Sequence, residues 1–304
     1  MRALVVGIGA VGGWLLARLA QGGADVTGLA RGETYTRLAA GAPVVLQSRH
    51  GDWSGPVRVV AEADGPYDVT FVCTKSEQTA EVGASLQRSG IAVSVQNGVD
   101  NPHTLAGLGG WERVVPSVVY SGCRRLEPTV FRHTSNGFLV LDDVEVAGWL
   151  NAHGVRADLV PDVRPRQWTK LAANVVQNSL TALLDSLQGP IRDHAALTRL
   201  RRDLIAEVAA VARAEGVDVG DDLPAVVLAG FERLPVGNGT SMLWDRRSGR
   251  PLEVDALTGA VVRRAARHGI DVPVTRTVDA LVRFVSDSAT GKVVQPAPTE
   301  PGGA

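Results

Sequence analysis

The hydrophobic rhythm of the chain changes once along its length. In the first half, short apolar and β-branched runs at Ala3–Val6, 25–29, 69–74, 91–95 and 113–119 alternate with stretches whose apolar residues recur every three or four positions. Such runs predict strands, and the helical stretches between them fall at the spacing expected of parallel βαβ units. Phe138–Leu141 predicts a further strand, and 156–161 another near the domain edge. After Pro165 the period is helical almost without interruption. Segments 167–184, 195–215, 223–233, 240–247, 252–267 and 274–286 place apolar residues at i, i+3 and i+4, with Gly216 and Gly269 as stops. The expected architecture is an α/β domain with a parallel sheet over 1–164, an all-helical domain over 165–287, and a Pro/Gly-rich tail without structure over 288–304.

One turn in the α/β half carries a nucleotide signature. Val5-Val6-Gly7-Ile8-Gly9-Ala10-Val11-Gly12 places G-x-G-x-x-G after a strand and at the opening of a helix. Gly7 permits the tight turn, Gly9 lets a pyrophosphate approach the backbone, and Gly12 lets helix and strand pack closely. The free N–H groups of the helix start, over Ile8, Ala10 and Val11, suit a phosphate. A turn that merely packs well would show the same glycines. The strand before, the helix after and the second strand at 25–29 favour a dinucleotide and a Rossmann-type domain.

The end of that second strand distinguishes the two nicotinamide cofactors. An NAD site normally has an acidic residue there, whereas this chain reads Gly28-Leu29-Ala30-Arg31. Arg31 can clamp a 2′-phosphate with charge-assisted hydrogen bonds, so NADP(H) is expected; a solvated loop arginine is the alternative. Lys75 and Asn97 end the next two strands, where the nicotinamide half of such a ligand lies, although Asn97-Gly98 is also a common turn dipeptide.

The helical half holds a second candidate. Lys170, Asn174 and Asn178 fall at i, i+4 and i+8, one polar stripe on a segment otherwise made of Leu, Ala and Val. A solvated face normally carries Glu, Lys and Arg, and asparagine disfavours helix. The stripe therefore fits a partly buried polar cleft, or a structural amide network between helices. In a cleft, desolvation would lower the pKa of Lys170 and make it a general acid. Asn238 and Ser241 stand at a helix start, where capping is the simple alternative, and Glu253 enters the first turn of a predicted helix.

Composition narrows the class. Of 304 residues, 45% are hydrophobic and 21% charged, as in ordinary globular proteins, and a formal charge of -1 with scattered basic residues argues against nucleic acid or a membrane surface as partner. Cys73 and Cys123 form no C-x-x-C pair and have no histidine cluster nearby, so no disulfide framework and no metal site are expected. The first residues run straight into Leu4-Val5-Val6 without a signal-like apolar region, and no apolar run long enough to span a bilayer follows, so a cytoplasmic protein is expected. The apolar helical half is compatible with a homodimer.

Taken in order, these pieces resemble the ketopantoate reductase (2-dehydropantoate 2-reductase) family. The matches are the glycine turn from Gly7 to Gly12, Arg31, Lys75, Gln96-Asn97-Gly98, Trp168-x-Lys170-Leu171-x-x-Asn174-x-x-x-Asn178-x-Leu180-Thr181-Ala182, Ser241-Met242-Leu243, and Gly249-Arg250-Pro251-x-Glu253-x-Asp255. The resemblance implies reduction of a small-molecule 2-oxo acid by NADPH, with substrate held between the two domains. It implies that Lys170 protonates the carbonyl oxygen, and that Asn174, Asn178, Asn238 and Ser241 hold the oxo acid. Glu253 would orient the substrate hydroxyl or the lysine, and Lys75 and Asn97 would lie by the nicotinamide ribose. Two positions depart from the family pattern: Gln188 stands before Gly189 where the family commonly has Asn, and Trp244 replaces the usual Gln after Ser-Met-Leu. These departures leave open another ketone, imine or oxo acid from a specialised pathway, and a non-catalytic NADP(H)-binding regulator stands as the reading from a different class.

Overall fold

Every strand expected from the apolar runs forms. In a computed structural model, which describes residues 1–293, β1 (Ala3–Val6), α1 (Ala10–Gln21) and β2 (Val26–Leu29) make the first parallel unit, followed by α2 (Gly32–Ala39). Three short strands, β3 (Val44–Ser48), β4 (Trp53–Gly55) and β5 (Arg58–Val60), precede β6 (Val69–Val72). The chain continues through α3 (Thr79–Ser85), β7 (Ile91–Ser94), α4 (Asn101–Gly107) and β8 (Arg113–Tyr120). β9 (Cys123–Glu127) pairs with β10 (Val130–His133), and β11 (Phe138–Leu141), α5 (Val144–Ala152) and β12 (Ala157–Leu159) follow.

Eight strands join in the order β12-β11-β8-β7-β6-β1-β2-β5. From β5 to β8 every pair is parallel; β11 runs antiparallel to β8, so the far edge is mixed. All residues of β1, β2, β6 and β7 are buried, which is why these strands read as continuous apolar runs and not as alternation. The strand order departs from β1 in both directions, to β2 on one side and β6 on the other. That switch point is where parallel sheets open a crevice for ligands at their carboxyl ends.

A second sheet, in the order β4-β3-β10-β9, was not anticipated. It rests on α1, whose Trp14, Leu15, Leu16 and Leu19 are buried, and the approach is so close that a Cβ on Gly13 would lie 2.2 Å from the Phe131 ring. Local pattern could not announce it. β4 has three residues, and β9 reads Cys-Arg-Arg-Leu-Glu with no buried position. These strands exist because α1 offers them an apolar surface to cover.

The chain separates into two compact units, Met1–Gln167 and a second from Trp168 onward. The division falls inside α6 (Arg164–Leu184), because Pro165 sits in the first helical turn, where its missing N–H costs nothing, and does not break the period. The second unit adds α7 (Gln188–Asp193), α8 (Ala195–Ala214), α9 (Leu223–Glu232), α10 (Ser241–Arg247), α11 (Thr258–Arg267) and α12 (Pro273–Ala289). α8 contributes Leu204, Ile205, Val208 and Ala212 to its interior, and α11 and α12 pack beside it.

Three expectations need correction here. The helix predicted over 252–267 begins only at Thr258: Leu252, Glu253 and Val254 are buried one after another, which one face of a helix cannot achieve. The Val254 N–H donates to Leu252 O and the Leu257 N–H to Val254 O in tight turns, while the Leu252 N–H donates to the distant Ser286 hydroxyl. Helix α12 runs to Ala289, past the expected start of the tail, and residues 294–304 of that tail lie outside the described residues. Short α7 was not expected at all. Among the described residues no helix is long and apolar enough to cross a membrane.

Candidate active site

The first unit builds its part from backbone. Gly7 adopts a φ of 88°, and a Cβ there would meet Thr74 Cγ2 at 2.6 Å, so only glycine allows β1 to turn this close to the loop after β6. A Cβ on Gly12 would stand 2.1 Å from the Gly7 carbonyl oxygen, which fixes the close passage of α1 over the end of β1. Gly9 differs: a Cβ there would meet nothing within 4 Å. Gly9 is also the N-cap of α1 without a side-chain cap, and no acidic residue occupies the first turn. Open space in front of uncapped N–H groups fits a pyrophosphate.

Lys75 and Asn97 follow β6 and β7 at the same carboxyl edge of the sheet as Gly7. A connected set of side chains fixes both loops. Gln96 Nε2 donates to Thr79 Oγ1 at 2.7 Å and to Thr74 O at 3.0 Å. Thr79 Oγ1 donates to Asn101 Oδ1 at 2.8 Å, and Asn101 Nδ2 donates to Asn97 O at 2.7 Å and to Ser76 Oγ at 3.1 Å. Gln96, Thr79 and Asn101 are buried, so this network holds the Asn97 turn in one position. Thr79 and Asn101 were not singled out in the sequence, since each resembles an ordinary helix-start residue there.

Arg31 is the N-cap residue of α2 and is exposed; its guanidinium stands 3.8 Å from Glu81. Such an exposed pair contributes little, so the side chain is available to a stronger anion. Arg125 of β9 reaches the same helix start, with Nη1 3.5 Å from Thr34 Oγ1. Its strand has no recognisable pattern, so nothing in the sequence placed this second cation beside α2.

The second unit builds its part from side chains. Lys170, Asn174 and Asn178 lie on α6, with Asn178 buried and the other two half-buried. Burial pushes the Lys170 ammonium down from its ordinary value to about 8, and the negative charge of Glu253 opposes that fall. Glu253 is itself buried, carried by the turn before α11 and not by a helix. Its neighbours in the sequence are scaffolding: Arg250 pairs with buried Asp245 at 2.9 Å, and Asp255 pairs with Arg283 at 2.7 Å. The Gly-Arg-Pro-x-Glu-x-Asp spacing thus anchors on both sides the segment that brings a carboxylate to the lysine.

The loop bearing Asn238 and Ser241 meets α6 near its C-terminal end. Thr240 Oγ1 lies 2.6 Å from Thr181 Oγ1, and the Gln188 N–H donates to Asn238 O at 2.9 Å. Capping is done by neither expected residue: Thr240 Oγ1 accepts from the Leu243 N–H, while Asn238 and Ser241 keep exposed side chains. Trp244 folds over its own loop, since a Cβ on Gly239 would meet its ring at 2.6 Å, and Arg247 stacks on the indole with 5.5 Å to the centroid. Cys73 and Cys123 are free, with burial pushing the Cys123 thiol up to about 12. Among the described residues no group of three His, Cys, Asp or Glu could hold a metal ion.

Comparison with known proteins places the chain by family and fold. The family model "Ketopantoate reductase PanE/ApbA" matches residues 3–145, and its C-terminal counterpart matches 162–286. A 2-dehydropantoate 2-reductase of Caulobacter vibrioides is 34% identical over 289 residues, covering 91% of this chain and 97% of the relative. The solved structure of a PanE/ApbA family ketopantoate reductase from Ralstonia eutropha superposes with a TM-score of 0.88 at 30% identity, covering 95% of this chain and 99% of that one. D-mandelate dehydrogenase, solved with NADH and anilino(oxo)acetate, shares the fold at a TM-score of 0.87 and 18% identity, covering 95% of this chain and 99% of its own.

Proposed function

The chain belongs to the ketopantoate reductase family, and from that premise we propose that it reduces a 2-oxo acid, 2-dehydropantoate first, to the 2-hydroxy acid with NADPH as electron donor. As a member of that family it is an oxidoreductase. Bound NADPH supplies the hydride. The turn from Gly7 to Gly12 (Gly7, Ile8, Gly9, Ala10, Val11, Gly12) receives the pyrophosphate, Lys75 and Asn97 meet the nicotinamide half, and Arg31 selects the 2′-phosphate over a bare ribose hydroxyl.

As the carbonyl carbon is reduced, negative charge develops on its oxygen. Lys170 stabilises that charge as an ammonium and then gives up a proton to the oxygen, leaving a neutral amine that solvent recharges. Asn174, Asn178, Asn238 and Ser241 position the acid, and Glu253 keeps the lysine protonated near neutral pH. The single observation that carries this reading is the half-buried Lys170, in one row with Asn174 and Asn178 on α6 and facing the charge of buried Glu253, with burial pushing its pKa down to about 8. A group so poised is charged at neutral pH yet gives up its proton readily.

Oxidation of NADPH, followed by absorbance with 2-dehydropantoate and a panel of other 2-oxo acids, tests the proposal. Turnover with at least one oxo acid, and preference for NADPH over NADH, is expected. Failure of every oxo acid, with NADPH bound, would leave only a nucleotide-binding regulator.

A further inference from the structure

Glu253 belongs to no helix, so its position depends on what ties the segment 251–257 in place. Its carboxylate is buried and regains hydration whenever that segment loosens. Bonds inside the segment are short in range: the Val254 carbonyl accepts from the Leu257 N–H at 3.1 Å and from the Gly259 N–H at 2.9 Å. They shape the turn without fixing where it sits relative to Lys170.

α12 supplies the longer ties. Asp279, Arg283 and Ser286 fall at i, i+4 and i+7, on one face of that helix. Ser286 Oγ accepts from the Leu252 N–H at 3.1 Å, directly before Glu253 in the chain. Arg283 Nη2 donates to Asp255 Oδ1 at 2.7 Å, two residues after it. Asp279 Oδ1 accepts from Thr258 Oγ1 at 2.7 Å, and its other oxygen accepts from Arg283 Nε at 2.7 Å. Thr258 and Asp279 are both buried. α11 starts at Thr258 after an apolar N-cap, Leu257, with no acidic residue in its first turn, so Asp279 also supplies the negative charge that this helix start lacks. The far end of α12 is held by Glu207 of α8, whose carboxylate accepts from the Val274 N–H at 3.0 Å and the Thr275 N–H at 2.7 Å.

We propose that Thr258, Asp279 and Ser286 are positioning residues, which together with Arg283 pin the segment 252–258 to α12 and so hold the Glu253 carboxylate toward Lys170. The proposal rests on the roles given to Lys170 and Glu253 above. The ties bring no charge of their own to the reaction site and act by keeping an existing one in place. At an effective dielectric of about 20, drawing a close ion pair apart by about 1 Å is enough to change a pKa by about 0.5. Loosening of the segment is therefore read directly in the titration of the lysine.

Thr258→Val and Ser286→Ala each remove one tie and no charge, so the charged groups bordering the segment, Asp245, Arg250, Asp255, Arg263, Asp279 and Arg283, all remain. The chain has three lysines, Lys75, Lys170 and Lys292. Carbon-13 labelling of lysine therefore gives three Cε signals in NMR, and Lys170→Arg identifies the one to follow in a pH titration without substrate. Because the Glu253 charge favours the ammonium, each variant is expected to lower the pH of half-protonation of Lys170 by about 0.5 or more. Thr258→Ser, which keeps the hydroxyl, should restore the value. In a Glu253→Gln background, where the charge is already gone, Thr258→Val should lower it no further. A Lys170 titration unchanged in both variants overturns the proposal even where Tm falls, since the ties then serve stability alone. An equally large further fall in the Glu253→Gln background overturns it too. If the titrations move as expected and no oxo acid oxidises NADPH, the reductase reading fails alone and the positioning of Glu253 stands.

Discussion

The glycine turn after β1 and the polar face of α6 assemble chemistry in opposite ways. In the turn, the useful groups are backbone N–H donors, and the residues that matter are those lacking side chains: Gly7 and Gly12 because a Cβ would collide, Gly9 because a Cβ would fill the open space in front of uncapped N–H groups. On α6 the useful group is one amine, and its properties come from what surrounds it: burial that lowers its pKa and a carboxylate from a distant turn that holds it up. A site made of backbone depends on local geometry and tolerates little change in shape. One made of tuned side chains depends on charge and tolerates little change in environment.

Replacing the lysine should separate the two halves most sharply. Lys170→Ala is expected to lower turnover by roughly 10²- to 10⁴-fold while NADPH binds with nearly unchanged affinity, measured by steady-state kinetics and by fluorescence titration. Unchanged turnover would remove Lys170 from the chemistry. Next in size, Arg31→Ala should weaken NADPH by roughly 10- to 100-fold, the contribution of hydrogen bonds to a charged group, and leave NADH as it was. An equal loss for both cofactors would show that Arg31 does not read the 2′-phosphate.

Two alanine substitutions in the turn sharpen its internal logic. Gly12→Ala puts a Cβ 2.1 Å from the Gly7 oxygen and should cost about 1–3 kcal/mol of stability in denaturant titration, with cofactor binding lost alongside. Gly9→Ala meets open space, so stability should stay within about 0.5 kcal/mol while cofactor affinity falls. If Gly9→Ala binds NADPH normally, the pyrophosphate lies elsewhere.

The smallest effect is a displacement in pH. In the proposed reaction the protonated lysine is the active form, so the pH profile of oxo-acid reduction should fall on a basic limb near the lysine value of about 8. Glu253 raises that value; removing its charge in Glu253→Gln therefore lowers it further, and the limb should move toward lower pH. A limb that stays in place would assign it to another group.

Much of the first unit could be read directly because its strands are buried on both faces and announce themselves as unbroken apolar runs, with the glycine turn directly between β1 and α1. The second sheet could not, since β4 and β9 owe their conformation to α1 and not to their own residues. The stripe of Lys170, Asn174 and Asn178 was legible because helical period alone puts them together. Placement of Glu253 was misjudged: its acidic type and spacing suited a helix start, whereas three successive buried residues and the flanking ion pairs of Arg250 and Asp255 fold the segment as a turn.

By itself the sequence determined the order of elements, the nucleotide turn and the row of amides beside a lysine, because each depends on residues close together in the chain and on the periods of strand and helix. Only the tertiary structure decided which distant residue tunes that lysine and which polar network steadies the Asn97 turn. Burial and charge are set by segments remote in the chain, and no local pattern of residues encodes them.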